Sequence, residues 1–155
     1  MKNQNYGYVG DIALQSKIIC DCLGYGKNKT AHFLIRETAC AETGAGAIPD
    51  GTVFAGMGLT QFDRIPFQDI RNRSKRFRKK ILNELGVDIS LVEWEHLRYN
   101  SFLALLFCRL HYILKRPAIP ADMKGRAKYW KKYYNTFLGK GTPEHYLKMV
   151  HKYYK

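Results

Sequence analysis

Glu42 is the residue around which chemistry could be built. With Glu37 it is one of only two acids in residues 31–43, an otherwise largely apolar stretch. A carboxylic acid carried into apolar surroundings keeps its proton to higher pH and becomes a proton donor near neutrality. Glu37 is the rival. Five residues earlier on a helix, it projects about 140° away from Glu42, so the two do not serve one site. A second carboxylate across a substrate would hold water or act as a base, and Asp63 and Asp50 are the candidates. The chain between Glu42 and Asp63 is rich in Gly, with Gly44 and Gly46 leaving room for a substrate beside Glu42. The Gln61 amide offers both a donor and an acceptor, either to a ligand or to its own loop.

These residues form a constellation. Glu42-Thr43, a Gly-rich spacer, Gly58-Leu59-Thr60-Gln61 and then Asp63 resemble the lysozyme-like superfamily, specifically the soluble lytic transglycosylases and goose-type lysozymes. There a Glu followed by Ser or Thr ends a helix, and Gly-Leu-Met-Gln follows a variable loop. Here Thr60 replaces Met, and Asp63 matches the goose-type continuation. Gly58 lies sixteen residues after Glu42, close to the transglycosylase pattern, and twenty-one after Glu37. Downstream, Tyr133-Tyr134-Asn135-Thr136 with Gly139 and Gly141 looks like the family's Tyr-Asn-Ala-Gly segment. Thr136 stands for Ala, and the Gly is displaced. Residues 100–114 are similar to the family's core helix, with Asn100 and Tyr112 at its Asn and Tyr positions.

The resemblance implies a mainly α, lysozyme-like single domain over residues 1–155, with a small loop or β element near 44–57. It implies cleavage of peptidoglycan glycan strands at the β-1,4 bond between N-acetylmuramic acid and N-acetylglucosamine. Glu42 would be the general acid and then base, Asp63 the second carboxylate and Asp50 the next choice. Gly58, Leu59, Gln61, Tyr134 and Asn135 would bind substrate. No cofactor or metal is implied. If the muramic acid's own 6-hydroxyl attacks, the product is a 1,6-anhydro sugar; if a carboxylate holds water, the enzyme is a muramidase. The expectation leans to the transglycosylase, with Asp63 turned toward the next helix as its cap. Aromatic rings pack on sugar faces, and Phe54, Phe62, Tyr133 and Tyr134 are available.

The elements that must position these groups follow from local signals. Asp11 caps a helix from Ile12 to about Leu23, stopped by Gly24 and Gly26. Thr30 caps the next, Ala31 to about Thr43, which ends on the candidate acid. Pro49-Asp50-Gly51 is a turn, and Thr52-Val53-Phe54 beside it reads as a loop or short hairpin. A helix from Phe67, starting at Pro66, runs to Leu85 with Gly86 as its stop. Phe77, Ile81 and Leu85 form its inner stripe. Ser90-Leu91-Val92-Glu93 has the capping-box pattern for a helical segment to about Lys115, with a break near Asn100. Pro117 and Pro120 end it. Asp122 caps a helix through Tyr134, and Thr142-Pro143-Glu144 starts the last one. Residues 1–10 read as a loosely ordered lead-in.

Composition sets the wider bounds. The 155 residues fit one core. A formal charge of +13, from 26 Lys and Arg against 13 Asp and Glu, calls for a polyanionic partner. The basic run Arg71, Arg73, Lys75, Arg76, Arg78, Lys79 and Lys80 is a candidate patch for anionic cell-wall polymers, and otherwise a solvated helix face. Cys20, Cys22, Cys40 and Cys108 read as reduced, buried thiols, with no zinc spacing. The N-terminal stretch has no apolar run of signal-peptide length, and the long apolar run Phe102 to Leu114 is too short for a membrane span. The expectation is a monomer made in the cytoplasm and delivered to the wall from a virion, through a holin or by a secretion system. The runner-up is a basic, helical nucleic-acid-binding module using the 71–80 helix, although no helix-turn-helix or RNA-recognition signature is present. A lysozyme-like fold that binds wall without cutting it is the third reading.

Overall fold

The computed structural model describes residues 2–3, 6–50, 55–136 and 139–154. Among them are seven α-helices: α1 (Ile12–Leu23), α2 (Ala31–Thr43), α3 (Arg64–Arg73), α4 (Arg78–Leu85), α5 (Ser101–Ile113), α6 (Met123–Trp130) and α7 (Pro143–Tyr153). Strand content is a two-residue pair, β1 (Lys2–Asn3) against β2 (Gly7–Tyr8), antiparallel. The expected mainly helical class is observed. The β content expected near 44–57 reduces, in the described part, to one bridge between Met57 and Phe62. Residues 51–54, with Phe54, lie outside the described residues.

Helix α2 is the centre. It packs against α1 and α5 and against α6 and α7, and Leu34, Ile35, Ala39 and Cys40 on it are fully buried. Helix α5 carries the other half of the core through Ala104, Leu105, Leu106, Phe107 and Leu110. The lead-in is not wholly loose, because Tyr6 and Val9 are buried and the Tyr6 hydroxyl donates to the Ile48 carbonyl at 2.7 Å.

Most helix starts obey their caps. The side chains of Asp11, Asn100, Asp122 and Thr142 each accept a backbone N–H in the first turn. Thr30 does not, because its hydroxyl donates to the Pro120 carbonyl at 2.9 Å. Helix α3 begins at Arg64, earlier than expected. Pro66 sits in its first turn, where backbone N–H groups have no partner inside the helix, so a missing one costs little. The helix expected from Phe67 to Leu85 is broken at Ser74 into α3 and α4. The capping box expected at Ser90 is absent: Asp88 accepts from both the N–H and the hydroxyl of Ser90. Asp88 thus caps a short 3-10 turn, Ile89–Leu91; a second, Trp94–Leu97, starts at Glu93, whose N–H donates to His96 Nδ1, and the α-helix begins only at Ser101. The helix after Asp122 leaves α geometry at Trp130 and finishes in a wide π turn, Lys131–Asn135, closed by Thr136 N–H donating to Lys131 O at 2.8 Å.

All four cysteines are free and buried. Among the described residues no helix is long and apolar enough to cross a membrane.

Candidate active site

Three elements converge on one cleft. The first is the end of α2. Gly44 takes a left-handed conformation there (φ 57°) and its N–H closes on the last carbonyls of the helix, so the chain turns away just after Glu42. The second is the turn from Met57 to Phe62. Met57 and Phe62 exchange both backbone hydrogen bonds at 3.0 Å, and Gln61 N–H donates to Gly58 O. Residue 58 must be glycine: φ is +76°, and a Cβ would overlap the Leu97 carbonyl. The Thr43 hydroxyl fastens this turn to α2 by donating to Leu59 O at 2.7 Å. The third is the π turn after α6, where the Tyr134 hydroxyl donates to Thr60 O at 2.7 Å.

Together they shape a cleft of about 320 Å³ lined by Glu42, Ala55, Gly56, Gln61, Asp63, Tyr134, Asn135, Gly139 and Lys140. A further hollow of about 160 Å³ shares Gln61, Asp63 and Tyr134 and extends past Pro66 and His111. A hollow of similar size to the cleft, about 340 Å³, lies at the start of α1. Its carboxylate, Asp11, is already engaged as a helix cap.

Glu42 is partly buried. Among the described residues its hydrogen-bond partner is the Trp130 indole, which donates to Oε2 at 2.9 Å. Burial pushes its carboxyl from 4.5 up to about 8; the Trp130 N–H pulls it down, and the Asp63 charge pushes it up. Glu42 therefore holds its proton at neutral pH. Glu37 lies in a different setting. It is 1% exposed, takes the Arg126 guanidinium at 2.7 and 2.9 Å, and accepts from the Tyr146 hydroxyl at 2.7 Å. That buried pair ties α2 to α6 and α7 and leaves Glu37 no cleft.

Asp63 corrects one expectation. It holds the N-cap position of α3 but makes no side-chain cap hydrogen bond. It lines the cleft instead, and partial burial pushes its carboxyl above the ordinary aspartate range. Asp50 is not a lining residue; it accepts from Gln61 Nε2 at 3.3 Å. The same Nε2 donates to Gly58 O at 3.0 Å, so the Gln61 amide holds its own loop.

Other sequence candidates fall outside the cleft. Leu59 is buried and Gly58 is pressed on Leu97, so both are scaffold. Phe62 is buried and meets Tyr134 edge-on at 5.8 Å, presenting no open face. A Cβ on Gly44 would meet Tyr153 and Ile48, and one on Gly46 would meet Val9 and Leu59. These glycines admit packing; Gly56 and Gly139 line the cleft with Glu42, and a Cβ on either would run into Gln61 or Asn135. Asn135 does line the cleft, with its Oδ1 accepting from Lys131 at 2.8 Å. Asn100 and Tyr112 are structural: Asn100 caps α5, and the Tyr112 hydroxyl is 2.9 Å from Thr38 Oγ1.

Sequence reasoning missed Trp130 and Lys140. Trp130 stands four residues before Tyr134, one turn away on the same helix face, and an indole N–H is a donor only. Gly139 and Gly141 are there because Asn135 and the Trp130 ring occupy the space a side chain would need.

The basic run is partly neutralised. Arg71, Arg73, Arg78 and Lys80 pair with Glu93, Asp69, Asp88 and Glu84. Lys75, Arg76 and Lys79 are exposed and form no ion pair among the described residues. Those residues contain no group of three or more His, Cys, Asp or Glu able to hold a metal ion.

No protein-family model, curated protein or solved structure matches the chain.

Proposed function

We propose that the chain cleaves peptidoglycan glycan strands at the β-1,4 bond between N-acetylmuramic acid and N-acetylglucosamine. The observation that carries this reading is the placing of two carboxyls, Glu42 and Asp63, in one open cleft, where burial favours the protonated form of Glu42. Glu42 gives its proton to the glycosidic oxygen as the C1–O bond breaks. The carboxylate left behind accepts the Trp130 N–H, the contact that favours its charged form. An oxygen nucleophile then bonds to C1 and surrenders its proton to a carboxylate. Asp63 in the cleft, free of any capping role, favours water as that nucleophile and a muramidase outcome. Attack by the 6-hydroxyl, with Glu42 taking the proton, is the transglycosylase alternative.

Lysis of purified peptidoglycan by wild type and Glu42→Gln tests the proposal. Activity should fall to background while the circular dichroism spectrum is unchanged. Retained activity in Glu42→Gln would remove Glu42 from the role. Tight, salt-dependent DNA binding without glycan cleavage would favour the nucleic-acid module instead.

A further inference from the structure

A cavity of about 280 Å³ lies where the loop after α1 meets the end of α5. Its wall carries Lys27, Arg109, Lys115 and Arg116 and no carboxylate. None of the four forms an ion pair among the described residues. Arg109 is the anomaly. It is 3% exposed, and a charge so buried ordinarily faces an opposite one. Instead its Nε and Nη2 both donate to the Gly24 carbonyl, at 3.1 and 3.0 Å.

The neighbours do not supply the missing charge. Burial pushes the Cys20 thiol up to about 11 and the Tyr129 phenol up to about 12, and lifts Cys108 well above the ordinary range. All three are neutral near pH 7. Asp69 acts on Lys115 from a distance but already pairs with Arg73 at 3.1 Å. Two helix C-termini do meet here, α1 at Gly24 and α5 at Leu114. Each contributes roughly half a negative charge, about one in total against four formal positive charges. An excess of about three remains. The rim is held in place: Asn28 donates to Ile119 O, Thr30 to Pro120 O and Tyr129 to Pro117 O, all within 2.9 Å.

We infer that this cavity binds a phosphoryl group, as free phosphate or as a phosphomonoester. Two guanidinium and two ammonium groups around one hollow suit a tetrahedral dianion with several acceptor oxygens. The site stands apart from the glycan cleft and does not depend on that activity.

Calorimetric titration and thermal unfolding at matched low ionic strength test it, with inorganic phosphate and glycerol 3-phosphate as probes. The wild type should bind saturably at one site. Its Tm should rise more than with chloride at the same ionic strength. Lys115→Gln combined with Arg116→Gln should weaken binding about tenfold or more; Lys79→Gln combined with Lys75→Gln should leave it unchanged. Tighter binding of glycerol 3-phosphate assigns the site to a phosphomonoester, and equal binding assigns it to the phosphate alone. No saturable binding by either probe overturns the inference. So does an equal loss in the Lys79 and Lys75 variant.

Discussion

Glu37 and Glu42 sit five residues apart on one buried helix, and their surroundings give them opposite uses. Glu37 faces a guanidinium and a phenol, which between them make three short bonds to its carboxylate. It has become part of the scaffold. Glu42 faces one neutral donor and a cleft, and burial leaves it protonated near neutrality. The helix supplies the desolvation common to both. What separates the ionised, paired acid from the protonated one is the number and charge of its donors, and whether it opens onto a cleft.

The comparison breaks most sharply at Glu37. Glu37→Gln strands the Arg126 charge inside the protein and should cost about 3–5 kcal/mol, measured by urea unfolding. A loss under 1 kcal/mol would show that the pair does not anchor α2. Glu42→Gln should do the reverse. The unfolded carboxyl ionises near 4.5 and the folded one near 8. Wild-type stability is thus full below about pH 4.5 and falls as pH rises through about 8. The glutamine variant escapes that fall, gaining on the order of 5 kcal/mol at pH 9 and nothing at pH 4. Parallel stability curves for the two proteins would refute the raised carboxyl.

The sequence located this contrast only in part. Helix α2, its end at Thr43 and the 140° between the two acids follow from periodicity and Gly44. The spacing from Glu42 to Gly58 singled out the acid that lines the cleft. The network that neutralises Glu37 was invisible, because Arg126 and Tyr146 lie 89 and 109 residues downstream. Long-range pairing leaves no local periodicity. Trp130 escaped for the same reason. Gly44 and Gly46 misled because a glycine marks close approach without saying of what: here it is packed side chains. Asp63 was misjudged because an N-cap position fixes the backbone and leaves the side chain free to turn to the cleft.

Trp130→Phe sharpens the Glu42 side of the comparison. Removing the donor should push the Glu42 carboxyl further up and move the alkaline limb of the activity profile to higher pH, with a several-fold loss of rate. An unmoved limb would mean the indole only packs. Asp63→Asn should change stability by less than about 0.5 kcal/mol, since no cap bond is lost. It should also lower the Glu42 midpoint by removing a nearby charge. If water is the nucleophile, Asp63→Asn also abolishes activity. The smallest effect belongs to the basic run. Arg76, Lys79 and Lys80 reversed to Glu should reduce binding to intact sacculi at low salt and leave stability almost unchanged, as exposed charges do.

Mass spectrometry of the fragments released from purified peptidoglycan tests the central claim most directly. Wild type should yield muropeptides cut at the muramic acid C1, with a reducing end if water attacks and lighter by one water if the 6-hydroxyl does. Folded Glu42→Gln should yield none, and Glu37 variants that still fold should yield the wild-type pattern. Intact strands after treatment with wild type, or the same fragments from Glu42→Gln, would contradict the account.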